Sequence, residues 1–162
     1  MLDFGEAVRR YYTNYFNPQG RSQRSAYWWV FLYQIIIYTV LAIVFFMADG
    51  AMNFLDVMVS ETDSAEEVEA ALASLGVSGK AAIFFIIIFA VSNFLPDIML
   101  QIRRFHDLNQ TGWLVLAFRF AGLLPLVGSF IGLANLVWFC IPGTVGGNRY
   151  GPDPLRQETD IF

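Results

Sequence analysis

The sequence predicts an all-α membrane protein: a four-helix transmembrane bundle with an N-terminal interfacial amphipathic helix and a short extracytoplasmic helix. Three observations predict it. Hydrophobic residues fill 56% of 162 positions and charged residues only 15%, where a soluble domain carries about 25% charged. Several uncharged runs reach the length that crosses a bilayer. The segments between those runs differ in sign, arginine-rich at some and acidic at another. The formal net charge of −4 therefore says little about partners. The length suits one domain, residues 1–162.

The first element is a helix over residues 3–16. Phe4, Val8, Tyr11 and Tyr15 recur at helical spacing, while Glu6, Arg9, Arg10, Thr13 and Asn14 occupy other faces, the pattern of a helix lying in the membrane interface. Asp3 and Glu6 supply its start, and Asn17, Pro18 and Gly20 end it. The first span covers 26–48, an uncharged stretch with Tyr27, Trp28 and Trp29 at its start, where amphipathic rings prefer the headgroup level. No small-residue cleavage site follows, so this span is expected to stay in the mature protein.

The outer segment, 49–79, holds Asp49, Asp56, Glu61, Asp63, Glu66, Glu67 and Glu69 and no base. Ser64 and Glu67 form a capping box for a helix over Ala65 to Leu75, closed by Gly76. The apolar residues from Met52 to Val59 suit a membrane surface. The second span covers 81–100 and carries Ser92, Asn93, Pro96 and Asp97 in its second half. Pro96 removes a helical hydrogen bond, which makes a hinge or a polar site.

Trp113 to Pro142 is an apolar stretch too long for one perpendicular crossing, interrupted by Gly122, Pro125, Gly128 and Gly132. It reads as a hairpin of two short spans, about 110–125 and 127–142, followed by a tail, 143–162. One long helix kinked at Pro125 is the rival, and it would send the tail to the other side. Arginine accumulates on cytoplasmic flanks. Arg9, Arg10, Arg21 and Arg24 precede the first span, Arg103 and Arg104 follow the second, and Arg149 and Arg156 lie in the tail. Both termini are therefore expected in the cytoplasm, which favours the hairpin.

The residue inventory excludes several chemistries. One histidine, His106, and one cysteine, Cys140, set within an apolar run, make neither a zinc site nor an internal disulfide. No Walker or dinucleotide glycine pattern follows a strand. His106 beside Asp107 does not make a triad, which is matched in space and not along the chain. No catalytic residue, cofactor, metal or nucleic-acid partner is expected, and the chain is read as a non-enzyme.

What stands out is polar material gathered on the inner face. Arg21, Arg24, Arg103, Arg104, His106, Asp107, Asn148, Arg149 and Tyr150 form the candidate binding site, because arginine forks hold phosphate in bidentate fashion and basic pockets between helices take anionic headgroups. The expected partners are membrane lipids, anionic ones above all, an acidic partner, further copies of the chain in a homo-oligomer, or another membrane protein. The competing reading is that the same arginines brace the loops through carboxylate pairs. Asp97 and Arg119 are the charges within apolar spans. They read as an intramembrane pair, or, with Asn93 and Pro96, as the pathway of a small oligomeric transporter or channel.

Taken in order, "GRSQRSAYWW", "LPDIMLQIRRFHDLNQTGW", "LLPLVGSF" and "GGNRYGPDP" resemble the small bacterial integral membrane proteins grouped as domain of unknown function 805. The resemblance runs from about Tyr12 to Pro154. The matching positions are Gly20, Arg21, Arg24 and Trp28; Arg103, Arg104, His106, Asp107 and Trp113; and Gly147, Asn148, Arg149, Gly151, Asp153 and Pro154. It implies a multi-pass protein of the bacterial inner membrane and supplies no activity, substrate or catalytic residue. Phe105 stands where leucine is usual, Leu114 where a second tryptophan is common, and the acidic outer segment is long for the group. Asp97 and Arg119 lie outside the pattern.

Overall fold

The computed structural model describes residues 2–47 and 65–156. Among them the chain is all-helical, with one isolated antiparallel bridge, Asn148 to Gly151. The helices are α1 (Phe4–Thr13), α2 (Arg24–Phe45), α3 (Ala65–Ser74), α4 (Val77–Asp107), α5 (Trp113–Ala121) and α6 (Pro125–Cys140). The expected Ser64 cap, the apolar stretch from Met52 to Val59 and the tail beyond Arg156 lie outside the described residues.

Asp3 starts α1 by accepting the Glu6 amide at 2.8 Å, satisfying one of the orphan donors of a first turn. Glu6 gives its carboxylate to Arg9 and Arg10, each at 2.7 Å. Those two hydrogen bonds hold its carboxyl down at about 2. Both α2 and α4 are long and apolar enough to cross a membrane. At 1.5 Å per residue, the 22 residues of α2 reach about 33 Å. α4 continues through Pro96, which is fully buried.

The two last expected spans take a different form. α5 has 9 residues and α6 has 16, so they reach about 13 and 24 Å, short of the ~30 Å hydrocarbon core. Gly122 to Leu124 breaks the helix between them. Pro125 has no amide to continue α5, and it takes the first-turn position of α6 where none is needed. Gly128 lets the two helices approach, because a β-carbon there would run into the Gly122 carbonyl oxygen. Only the absence of a side chain permits that contact.

The chain divides into two compact units. One comprises residues 2–33 and 93–156. Its main core is Ile98, Phe105, Val115 and Phe139, flanked by Tyr27, Phe118 and Trp138. Phe105 is fully buried at its centre, with ring centroids of Phe139 at 5.1 Å and of Phe118 at 5.7 Å, edge-to-face and tilted contacts that stabilise beyond area burial. A second cluster joins Tyr11 of α1 to Val30 of α2 and Leu100 of α4. A third sets Leu2 and Ala7 against Ala26 under Trp29, whose indole N–H donates to the Leu2 carbonyl at 2.9 Å.

The other unit, residues 34–92, turns its apolar side chains outward. Ile35, Ile36, Val40 and Ile43 of α2, and Phe84, Phe85, Ile87 and Val91 of α4, are exposed. A soluble monomer rarely leaves so continuous an apolar surface uncovered. Lipid tails suit it.

Candidate functional site

The polar residues of the first unit converge where α4 ends. Arg104 is fully buried and reaches three acceptors: Asp107 Oδ2, the Phe139 carbonyl at 3.2 Å and the Ile141 carbonyl. These last two belong to the C-terminal end of α6, whose final carbonyls lack helical partners and carry the negative end of the dipole. Arg24 donates to the next one, the Cys140 carbonyl, at 3.3 Å. The end of α6 is thus capped by arginines from two other elements.

Arg21 reaches the same carboxylate from the linker before α2. Its Nη2 lies 2.9 Å from Asp107 Oδ1, and its side chain is 1% exposed. It also donates to the carbonyls of Thr144, at 2.5 Å, and Gly146, at 2.6 Å. Asp107 is the hub, since its own carbonyl accepts the Thr144 amide at 2.9 Å and the Thr144 hydroxyl at 3.0 Å. Gly143 passes against it so closely that a β-carbon would collide with the carboxylate.

The tail is a strap laid over this hub. Asn148 donates to the His106 carbonyl and to Thr144 Oγ1, both at 2.9 Å. Tyr150 stacks on His106 with centroids 3.8 Å apart, and the Arg149 guanidinium sits 4.8 Å from the Tyr150 ring centroid. Arg149 also donates to the Asn109 carbonyl at 3.0 Å. Asp153 ties the strap to itself, accepting the Gly146 amide at 2.8 Å and the Leu155 amide at 3.0 Å. Those amide bonds hold its carboxyl below the usual carboxylate value, that from Leu155 most strongly.

His106 is engaged on one nitrogen and one face. Its Nδ1 lies 3.2 Å from the Gly20 carbonyl, an acceptor, so this nitrogen carries the proton. The arrangement orients the imidazole as a brace and brings it no hydroxyl or thiol nucleophile. Among the described residues no three His, Cys, Asp or Glu side chains gather to hold a metal ion.

Asp97 and Arg119 each meet an aromatic residue of the first unit. Asp97 Oδ1 accepts the Tyr11 hydroxyl at 2.8 Å, and Arg119 lies over the Phe94 ring at 5.5 Å. Around Asp97 the structure assembles a polar network that sequence spacing did not reveal. Asn93 Oδ1 meets the hydroxyls of Tyr11 at 3.1 Å and Tyr12 at 3.0 Å, and Tyr12 meets Tyr33 at 3.0 Å. Burial and the Tyr33 hydroxyl push the Tyr12 phenol above its usual range. Tyr11 and Asn93 stand about 80 positions apart, and nothing local marks either as the other's partner.

Arg103 behaves unlike its neighbour. It is 6% exposed and no carboxylate among the described residues pairs with it, while its Nε, like that of Arg104, has no hydrogen-bond partner. It lines a cavity of about 270 Å³ with Arg10, Tyr11 and Asn14 of α1, the linker from Gln19 to Gln23, and the turn at Tyr150.

The family described as "Protein of unknown function (DUF805)" matches residues 15–152. The chain belongs to the DUF805 family. The match includes Arg21, Arg104, Asp107, Thr144 and Tyr150. Two similar proteins of Escherichia coli strain K12 carry names. Inner membrane protein YhaH is 31% identical over 144 residues, covering 89% of this chain and 92% of the relative. Inner membrane protein YhaI is 28% identical over 142 residues, covering 87% and 88%. No solved structure matches. Among the described residues this DUF805 chain is all-helical, with two helices suited to crossing a membrane.

Proposed function

We propose that this protein is a non-enzymatic module of the bacterial inner membrane whose cytoplasmic basic face holds anionic lipid headgroups. In this reading α2 and α4 cross fully, and the α5–α6 hairpin supplies the third and fourth spans, both short. Both termini then lie in the cytoplasm. Support comes from the hydrogen bond of Thr144 to Asp107, which returns the chain after the hairpin to the point where it left α4. Arg21 ties the segment before α2 to the same point.

The observation that carries the lipid reading is a surplus of cation. Asp107 is shared by Arg21 and Arg104, and Arg24, Arg103 and Arg149 have no carboxylate within ion-pair distance among the described residues. A basic surface at headgroup depth attracts anionic lipid by about 1 kcal/mol per arginine. The test is the lipid composition that survives gentle extraction. Phosphatidylglycerol and cardiolipin should be enriched over bulk membrane in the wild type and depleted in Arg24→Gln/Arg149→Gln. A wild type carrying the bulk composition refutes the reading.

A further inference from the structure

We infer that the cavity walled by Arg103 is a stoichiometric site for one phosphate group, either of a lipid headgroup or of a free phosphate ester; the inference rests on the anionic-lipid reading and names the position and chemistry of the ligand. Three arginines line this cavity, Arg10, Arg21 and Arg103, and no acid does. Arg21 is already committed to Asp107 and the strap carbonyls. Arg10 is anchored by Glu6 at 2.7 Å. Arg103 has neither kind of partner, although it is 6% exposed.

A buried guanidinium without a counter-ion is costly, because desolvation is not repaid by attraction. Its neighbours show how this chain treats that problem elsewhere: Arg104 and Arg21 each have a carboxylate and carbonyls. No described residue supplies a carboxylate partner for Arg103, which leaves that place to an anion from outside. A phosphate presents several oxygens, which suits a planar fork plus a second cation better than one carboxylate does. Tyr150 and Asn14 add polar groups to the wall.

Size narrows the ligand. A volume of about 270 Å³ lies just below the ~300–1,000 Å³ of pockets that hold drug-sized molecules. That is room for a single headgroup. Leu2, Ala7, Ala26 and Leu100 give the lining an apolar part beside the polar Gln19, Ser22 and Gln23, which suits the glycerol end of a lipid.

The experiment uses the full chain in neutral detergent and in phosphatidylcholine nanodiscs with a minor fraction of phosphatidylglycerol. Native mass spectrometry counts bound lipid, and thermal unfolding is followed with phosphatidylglycerol, glycerol phosphate or inorganic phosphate added. In neutral detergent Arg103→Met should unfold at the same temperature as wild type or higher, since it removes an unpaired buried charge. Wild type should retain one phosphatidylglycerol and gain melting temperature from it, with at least about tenfold weaker retention in Arg103→Met. Stabilisation by glycerol phosphate or inorganic phosphate alone identifies a free ester as the source; stabilisation by the lipid only identifies the headgroup. Equal retention by Arg103→Met and wild type, with anionic lipid still enriched overall, overturns this site and leaves the broader reading standing. A wild type indifferent to lipid charge and to both free phosphates overturns both.

Discussion

Replacing Asp107 by asparagine removes one charge, yet two buried arginines depend on it. Its Oδ1 lies 2.9 Å from Arg21 Nη2 and its Oδ2 accepts from Arg104 Nη1, with side-chain exposures of 1%, 0% and 4% for Arg21, Arg104 and Asp107. An asparagine amide keeps one acceptor and turns an N–H₂ group toward a second set of donors. Breaking a buried pair on one side costs about 3–5 kcal/mol, against about 0–1 kcal/mol for a surface pair. For a chain of this size each kcal/mol moves the melting temperature by about 2–4 °C, so Asp107→Asn should lower it by roughly 6–20 °C. Intrinsic fluorescence of Trp28, Trp29, Trp113 and Trp138 in detergent follows the transition. Glu6→Gln, which disturbs only the exposed pairs of α1, is the control and should leave the transition unmoved. Replacing Asp107, Arg21 and Arg104 together by apolar residues should recover part of the loss. Recovery stays partial, since the carbonyls of Thr144, Gly146, Phe139 and Ile141 lose their donors. A melting temperature for Asp107→Asn within about 2 °C of wild type, less than 1 kcal/mol, would refute the hub.

Gly143→Ala should destabilise by about 1–3 kcal/mol, since its β-carbon meets the Asp107 carboxylate, whereas Gly132→Ala, with nothing within 4 Å, should be neutral in the same melt. The Asp153 carboxyl is held below its ordinary value of 3.8, so its bonds to Gly146 and Leu155 stabilise the strap fully above that pH and are lost as pH falls through the lowered value. Hydrogen-exchange protection of the Gly146 and Leu155 amides, corrected for intrinsic rate, should stay level from pH 7 to 5 and drop below 3.8; Asp153→Asn should show no such step, and a step in that variant would assign the transition elsewhere. A cysteine-bearing tag after Phe162 should resist an impermeant thiol reagent added outside intact cells and react after permeabilisation; labelling from outside would place the tail across the bilayer from Arg21.

The sequence's legibility varied with the range of the interaction involved. Ala26 to Ala48 announces a span because uncharged length is a property of consecutive residues, and α2 over Arg24–Phe45 follows it closely. Asp3 and Glu6 mark the start of α1 for the same local reason, and Asp3 accepts the Glu6 amide. Pro125 told where the hairpin breaks, but the length of α5 was overstated, because apolar composition continues through Gly122 to Leu124 after the helix has stopped. Within the candidate site, residue identity was visible and pairing was not. Glycines and prolines mark the tail as a series of turns, while the stacking of Tyr150 on His106 and the hold of Arg104 on α6 carbonyls depend on tertiary approach. Nothing in the residues around Tyr11 pointed to Asn93 or Asp97.

The adjacent Arg103 and Arg104 show why sequence could pose the question of bracing or binding without dividing the answer. Consecutive residues on an α-helix point about 100° apart, so two neighbouring arginines at the end of α4 face different surroundings. Arg104 meets the end of α6 and Asp107, and its charge is absorbed in holding helices together. Arg103 meets α1, the linker and the turn at Tyr150, and finds no carboxylate there. Bracing and binding are thus not rival readings of one basic cluster, because they fall on different faces of a single helical turn. The brace also makes the cavity, since Arg21, which Asp107 holds, contributes one of its walls. Loss of the brace should therefore abolish phosphate retention, while loss of Arg103 should leave the brace intact.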